Sequence, residues 1–362
     1  MRKNAVLVVV AVALLLASFL FARCGEERIQ GKGGATVTVP VKQVEFPRDR
    51  KRHKATTSAS TSTAAAKTPT VGRDKLSRAL ASPGKDGALV VEVNAIRHSP
   101  LVDKLLACEE ARKGDGAGGL AALKEQLGVD VTEDVDRVAF DKDVLAVSGF
   151  FKDLKLPDEL GAGERYGDGG TLFKIKDDAG ADMVIGKVGE ELLVTGFNEA
   201  QVKGAIDRAE GRGEAGPSFP EGLAGGEVYG LVGPAFLKDL LGTVNNPAAA
   251  KLGDVITQST VQIAVDDAAA LSLDIQARTP EEGQDLGKAL GGLVSMARAE
   301  AEEGGDTELA GLLEQAKIVP RDDGSIAFDL AVPGHTLLRL FGCDEEGKPM
   351  GARPVDGATK TQ

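Results

Sequence analysis

Hydrophobic and polar residues alternate along several stretches in the second half of the chain. Between residues 270 and 278, Leu271, Leu273 and Ile275 alternate with polar residues, and the segment 325–333 has the same period of two. This period is typical of a strand with one face in solvent, and such strands are more common in antiparallel than in parallel sheets. The pattern therefore predicts an antiparallel sheet.

Further elements follow from the same criteria together with helix-capping signals. Apolar runs predict strands at 135–141, 144–151, 191–197 and 260–266, and helical periodicity predicts helices at 199–210, 280–302 and 306–316. Asn198 precedes the first of these helices with Gln201 three residues later, and Thr279 precedes the second with Pro280 and Glu282 following. Both patterns are those of a helix N-terminus.

An internal repeat organises these elements. The stretch 88–106 predicts a strand followed by a helix, and 226–241 repeats that plan, with "PLVDKLL" matched by "AFLKDLL". The glycine- and proline-rich stretch 211–226 separates the two copies. We therefore predict an α+β fold of two related units, 85–215 and 216–345. Each is an antiparallel sheet covered on one face by helices, and the two sheets are either continuous or side by side.

The first 24 residues are predicted to be a signal anchor or signal peptide. Ala5 to Ala22 is an uncharged apolar run of 18 residues behind Arg2 and Lys3. A secretory apolar region is usually 7–15 residues and a membrane-spanning helix about 20, so the length fits neither class alone. Retention as an anchor, cleavage, and lipidation of Cys24 all stay open. We expect export and attachment of the body to the inner or outer membrane, on the periplasmic side of the cell envelope.

Residues 25–84 are predicted to be a disordered basic linker, and 346–362 a disordered tail. The Ser/Thr/Ala-rich tract 56–70 has too few large apolar residues to fold. Residues 1–84 carry 15 Lys and Arg against 5 Asp and Glu, so the remainder carries a net charge of −22 within a chain of −12. The basic patch in this linker is Arg48, Arg50, Lys51, Arg52 and Lys54. It is either a solvated stretch of tether or a site of attraction to anionic lipid.

The body offers little for catalysis, metal binding or nucleic-acid binding. The three histidines are His53, His98 and His335, without carboxylates at ligand spacing, and no HExxH, GxSxG or CxxC motif occurs. We predict no catalytic residue, no cofactor and no metal, and hence a protein that is not an enzyme. The negative charge of the body would repel phosphates, which argues against nucleic acid as a partner.

Two cysteines remain once Cys24 is assigned to the export segment. Cys108 ends the first predicted repeat helix and Cys343 follows the last apolar segment. In an oxidising compartment they could form a disulfide between the two ends of the body; otherwise they are two separate buried thiols.

Two successions in the chain resemble a known group of proteins. "GVDVTEDVDRVAFDKDVLAVSGFF" and the later "ELLVTGFNEAQVKGAID" are similar to segments of uncharacterised exported bacterial envelope proteins that carry a tandem α+β domain of unknown function. The resemblance covers about 88–345. It implies a membrane-tethered or lipid-anchored envelope protein, and it supplies no catalytic residues.

These observations lead to two functional hypotheses. The first is a membrane-tethered, extracytoplasmic, non-enzymatic envelope protein that acts as an interaction or structural module for an unidentified envelope protein or lipid. The second is a periplasmic binding or carrier protein for a lipid or another apolar ligand. A large apolar cavity between the sheet and the helical stretch 286–299 would favour the second hypothesis over the first.

Overall fold

The computed structural model describes most of the predicted body. The described residues are 74–81, 87–113, 129–130, 133–155, 163–176, 182–214, 216, 219, 223, 226–234, 254–305 and 307–350. The apolar segment, most of the linker and the last twelve residues lie outside them, and so does the second-copy helix predicted after residue 234. Within these ranges no helix combines the length and the apolar character needed to cross a membrane.

The described residues form seven helices and twelve strands. The helices are α1 (Lys75–Ala79), α2 (Val93–Ile96), α3 (Pro100–Lys113), α4 (Glu199–Ala209), α5 (Pro280–Glu303), α6 (Thr307–Glu314) and α7 (Gly334–Leu340). The strands are β1 (Gly87–Val91), β2 (Val135–Asp141), β3 (Leu145–Gly149), β4 (Glu164–Tyr166), β5 (Gly170–Lys176), β6 (Asp182–Val188), β7 (Leu192–Gly196), β8 (Val228–Val232), β9 (Ile256–Val265), β10 (Ala268–Ala277), β11 (Lys317–Pro320) and β12 (Ser325–Pro333).

All twelve described strands belong to one continuous sheet. Its order is β11-β12-β10-β9-β8-β1-β2-β3-β7-β6-β5-β4, and every pair of neighbours is antiparallel. The two predicted units meet where β1 pairs with β8, with Val90 opposite Tyr229. Of the two arrangements left open by the sequence, the continuous sheet is the one observed. We call β1–β7 the first half and β8–β12 the second half.

Pairing register assigns each side chain to one face of this sheet, because residues directly opposite each other point to the same side. We define the front face by Val90, Ala139 and Tyr229, and the back face by Leu89 and Val91. Following the register outward places Val194 and Leu172 on the front and Val261 and Ile275 on the back.

The two halves bury opposite faces beneath their helices. In the first half, Leu76 of α1 and Ile206 of α4 pack on the front face with Val90, Val194 and Leu172. In the second half, Leu286 of α5 packs on the back face with Ile275 and Ile326. Helices α3 and α7 pack farther along that back face, with α6. The longer helices of each half therefore cover one face, and the covered side changes at the β1–β8 seam. In the first half, the short α2 and the loop residues Phe151 and Leu154 also pack on the back, against Val91 and Val138.

Several predicted elements are observed with close boundaries. Strand β12 matches the predicted 325–333, and helix α5 extends the predicted 280–302 by one residue. The hydroxyl of Thr279 accepts a hydrogen bond from the Glu282 amide at 3.2 Å, as the capping pattern indicated. Asn198 also caps its helix, although its side chain accepts from the Ala200 amide.

The predicted boundaries need four corrections. Residues 74–81 fall in the predicted linker, but they contain α1 and reach the core. Helix α3 was assigned to the first unit, yet it packs on the second half because its apolar residues meet β9, β12 and α7. The predicted tail begins inside the fold, since the Met350 amide donates to the Gly342 carbonyl at 2.7 Å. The stretch 163–170, for which the sequence predicted no element, contains β4 and the turn into β5, where Gly167 has a φ of 67°.

Candidate functional site

Residues 74–81, the first described segment, are attached to the sheet by buried side chains and by polar contacts. We call residues 74–81 the junction segment, because the predicted linker lies on its N-terminal side. Asp74 caps α1 by accepting from the Ser77 amide at 2.8 Å, which starts the helix locally. Leu76, Ala79 and Leu80 then face the sheet, and none is more than 1% exposed. The segment is therefore part of the core of the first half.

The backbone at the end of the junction segment is held by two side chains from other elements. The Nε and Nη2 groups of Arg208, in α4, both donate to the Ala79 carbonyl, at 3.0 and 2.7 Å. The Ala81 amide donates to Oδ2 of Asp141, at the end of β2, at 2.8 Å. These bonds satisfy polar groups left open where α1 ends, which a short helix cannot satisfy by itself. Gly216 packs so closely that a Cβ there would lie 2.4 Å from the Ser77 carbonyl oxygen.

The beginning of the junction segment is held by two ion pairs of unequal importance. Asp74 Oδ2 lies 2.5 Å from Nη1 of Arg137 in β2, with both side chains partly shielded. Lys75 Nζ lies 2.9 Å from Oε2 of Glu191, but those side chains are 49% and 70% exposed. Exposed pairs contribute little because water screens them, so the Asp74–Arg137 pair carries most of the electrostatic attachment.

Burial and charge act in opposite directions on this pair. Burial alone would raise the pKa of Asp74, but the Arg137 charge and the hydrogen bonds from Ser77 outweigh it and lower the pKa below its usual value. Burial would lower the pKa of Arg137, while the charges of Asp74 and Glu92 raise it. The pair is therefore ionised at neutral pH, and it loses its attraction only in strong acid.

A second polar group lies beside this pair at the seam between the two halves. The Tyr229 hydroxyl, on β8, donates to Oε1 of Glu92, the residue after β1, at 2.8 Å. Burial raises the pKa of Glu92, and burial together with the Glu92 charge raises the pKa of Tyr229. The Tyr229 ring also meets Phe219 edge to face, with centroids 5.8 Å apart. Because Arg137 acts on both carboxylates, the junction and the seam form one polar network.

The two body cysteines form a second fastening on the opposite face of the sheet. Cys108, in α3, and Cys343, after α7, are joined by a disulfide with their Cα atoms 6.1 Å apart and a sequence separation of 235. Both are fully buried, in the cluster that includes Leu101 and Leu338. The bridge ties α3 to the C-terminal segment across the back face of the second half.

The other residues singled out from the sequence either lie outside the described residues or are exposed histidines. Cys24 and the basic patch of Arg48, Arg50, Lys51, Arg52 and Lys54 lie outside the described residues. His335 is exposed beside a small polar pocket of about 110 Å³ with Lys104, Asp267 and Glu345. His98 is also exposed and does not line that pocket. In the described part of the chain, no group of three or more His, Cys, Asp and Glu residues could hold a metal ion.

Sequence reasoning missed the junction segment, although a local signal was present. Asp74 is followed by Ser77 three residues later, and Leu76 and Leu80 are spaced four apart, as on one face of a helical turn. Helix α1 has only five residues, which is too short for the hydrophobic periodicity of a helix to be recognised in the sequence. The partners Arg137, Asp141 and Arg208 are 60 or more residues distant in sequence, so only the folded structure reveals the clamp around this segment.

Comparison with known proteins identifies only distant likeness. No family model and no curated protein matches the sequence. The structure of crystal form I of TP0453 is similar with 13% sequence identity, 75% of this chain and 97% of that chain covered, and a TM-score of 0.41. Crystal form IV of TP0453 gives 12% identity, coverage of 73% and 94%, and a TM-score of 0.38. A likeness at this level assigns no function to the chain.

Proposed function

We propose that this protein is a membrane-tethered, extracytoplasmic module of the cell envelope that works by interaction or structural support and not by catalysis. The N-terminal apolar segment attaches it to the membrane, and the linker displays the acidic body at a distance. The body is an interaction surface for an envelope partner or lipid.

The observation that carries the proposal is the buried disulfide between Cys108 and Cys343. Structural disulfides persist in oxidising compartments and are rare in a reducing cytosol. A bridge between fully buried cysteines is poorly suited to redox catalysis, because a catalytic thiol must reach its substrate. The bridge therefore favours a body that folds after export and keeps a structural crosslink.

The clamp around the junction segment supports the tethered form of the proposal. Any pull from the linker reaches the fold first at Asp74, where α1 is fixed by the shielded Arg137 pair and by Arg208 and Asp141. An attachment inside the core resists fraying better than a chain end bound only at the surface. This is what a body held by its N-terminal side requires.

The carrier alternative receives no comparable support. Its distinguishing feature is a large apolar cavity between α5 and the sheet. Over the first turns of α5, Leu286, Ile275 and Ile326 pack together with at most 4% exposure, and Pro320 of β11 fills the space beside Gly287. The pocket at His335 has about 110 Å³, against roughly 300–1,000 Å³ for typical small-molecule sites.

The test is the location and thiol state of the full chain in cells. The chain is expressed in a bacterium with its own N-terminus, thiols are trapped by an alkylating reagent, and membrane and soluble fractions are analysed by intact mass. We expect the body in the membrane fraction, released by detergent, with Cys108 and Cys343 unmodified because they are bridged.

A matched variant places a charge in the apolar run. Leu14→Arg should block export, because a charge in the middle of an apolar segment strongly opposes membrane insertion. Its body should then be found in the cytoplasm with both thiols alkylated. A wild-type chain that behaves like this variant would overturn the proposal.

A further inference from the structure

The junction segment lies on the path along which a pull from the linker enters the fold. Asp74 is the first described residue, α1 follows it at once, and β1 begins at Gly87. Because force travels along the covalent chain, tension applied on the N-terminal side of Asp74 acts on α1 before it acts on β1. The two elements are held in different ways, and this difference decides which of them is released first.

Helix α1 is attached to the sheet by side-chain contacts that can be lost one after another. Its apolar residues pack against α4 and against β2, β3 and β7. The polar contacts are the Asp74–Arg137 ion pair, the donation from Arg208 to the Ala79 carbonyl, and the donation from the Ala81 amide to Asp141. A short segment held in this way opens at a lower free energy than the strands at the centre of a sheet.

Strand β1, in contrast, is paired on both sides. Its residues form antiparallel pairs with β2 from Ala88 to Val91 and with β8 from Gly87 to Val91. Extracting β1 would break both ladders, leave buried backbone groups of two neighbouring strands without partners, and open the seam between the two halves. The strand therefore resists a tension at which α1 is released.

We propose that the junction segment is a strap that is released as a unit when the linker is pulled, while the sheet stays folded, and that docks again when the tension falls. This rests on the proposed function, because anchoring of the linker in a membrane is what puts the chain under tension. Release adds the chain between Asp74 and Gly87 to the tether, a contour length of about 45 Å at roughly 3.5 Å per residue.

The surface beneath the strap favours its return. Leu76 and Leu80 belong to one buried cluster with small side chains of the front face, among them Ala139 of β2 and Ala146 of β3. Release exposes these side chains to water, which is unfavourable, and the chain next to β1 keeps the released segment close to its site. The strap therefore couples tension on the linker to exposure of the apolar front core of the first half.

The test is force spectroscopy on the full chain. The chain is held in mild detergent between handles joined to enzymatic tags at its two ends, with the disulfide intact. We expect a reversible step with a contour length of about 45 Å before any larger extension. The disulfide carries the load directly from Cys108 to Cys343, so its reduction should enlarge the later extension and leave the first step unchanged.

Two variants in α4 assign this step to the clamp. Arg208→Gln removes the charged donor to the Ala79 carbonyl. At a fixed force it should raise the ratio of released to docked chain by about tenfold, without changing the length of the step. Lys203→Gln alters a cation on the same helix that contacts Glu199, and it should leave the ratio unchanged.

Two outcomes would overturn the strap. A first step of about 120 Å, as expected for the chain from Asp74 to Cys108, would mean that α1 and β1 are released together. Equal ratios for Arg208→Gln and Lys203→Gln would mean that the clamp does not hold the segment. Because the measurement needs no membrane, the strap can fail while the body is still found in the membrane fraction, and it can hold while the body is found in the cytoplasm.

Discussion

The longer helices of the two halves pack on opposite faces of the sheet. The first half buries its front under α1 and α4, and the second half buries its back under α3, α5, α6 and α7. An antiparallel sheet needs only one face covered to be stable. The covered side changes at the β1–β8 seam, and the back of the first half is covered instead by the short α2 and by Phe151 and Leu154 of the loop after β3.

The halves also differ in how distant segments are fastened. In the first half the junction segment is held by noncovalent polar contacts from Arg137, Asp141 and Arg208. In the second half α3 is held by a covalent bridge from Cys108 to Cys343. The first fastening depends on charge and hydrogen bonding, and the second on the redox state of the compartment. Perturbing each in turn should affect its own half first.

Removing the disulfide should give the largest effect. The double substitution Cys108→Ala and Cys343→Ala should lower the free energy of unfolding by about 4–5 kcal/mol, since a bridge across so long a loop restricts the unfolded chain strongly. Urea unfolding of oxidised wild type and of the variant measures it. Hydrogen exchange should rise first in α3 and α7. Cys24→Ala is the control, and equal loosening of α1 would contradict the assignment of the bridge to the second half.

Truncation in the junction segment should be next in size. Leu80→Ala removes a fully buried side chain from the front core and should cost about 2–5 kcal/mol. The control Leu106→Ala alters a residue in α3 that is 38% exposed and should have little effect. Urea unfolding compares the two. Equal losses would mean that residues 74–81 lie on the fold without contributing to its core.

Loss of the backbone clamp should have a smaller and more local effect. Arg208→Gln removes the charged donor to the Ala79 carbonyl and should cost about 1–3 kcal/mol. Hydrogen exchange at residues 76–81 should accelerate more than exchange in α5. Lys203→Gln is the matched control, because Lys203 lies on the same helix and contacts the half-buried Glu199 and the Tyr166 ring but not the junction segment. If both variants exchange alike, Arg208 does not fix the segment.

Much of the fold could be predicted from the sequence because its elements carry local signals. Strand β10 alternates Leu271, Leu273 and Ile275, and α5 begins with Thr279 and Pro280, so their types and limits follow from nearby residues alone. The continuity of the sheet did not follow, because pairing of β1 with β8 joins segments about 140 residues apart and no local pattern encodes it.

Of the contacts in the candidate site, only the disulfide could be predicted from the sequence. Cysteine is rare in this chain, so counting three cysteines left Cys108 and Cys343 as the possible pair. The polar clamp uses Arg and Asp, which are common and usually solvated, so the sequence does not distinguish Arg137 and Arg208 from surface cations. The sequence also did not predict the side of the sheet on which each helix packs. Amphipathicity indicates which face of a helix is buried, but it does not indicate which face of the sheet that helix contacts.

The smallest expected effect tests the seam between the halves through its pH dependence. Burial raises the pKa of Glu92 in the folded protein above its value of 4.5 in the unfolded chain. The folded state therefore binds a proton more readily, so wild type should gain stability as the pH falls through the folded pKa towards 4.5. Glu92→Gln keeps an acceptor for the Tyr229 hydroxyl and removes the buried charge. The variant should be the more stable at neutral pH, and its advantage should shrink in acid.

Asp74 does not obscure this comparison, because its lowered pKa makes both proteins lose stability only in stronger acid. Urea unfolding at a series of pH values measures the difference between Glu92→Gln and wild type, with exposed Glu133→Gln as the control. The groups facing Glu92 are Arg137, Asp74, Asp136 and Tyr229, so a difference that stayed constant with pH would show that Arg137 fully compensates the carboxylate. The charge of Glu92 at the seam would then be compensated as completely as the charge of Asp74 at the junction segment. The two carboxylates would no longer differ in whether burial or ion pairing dominates.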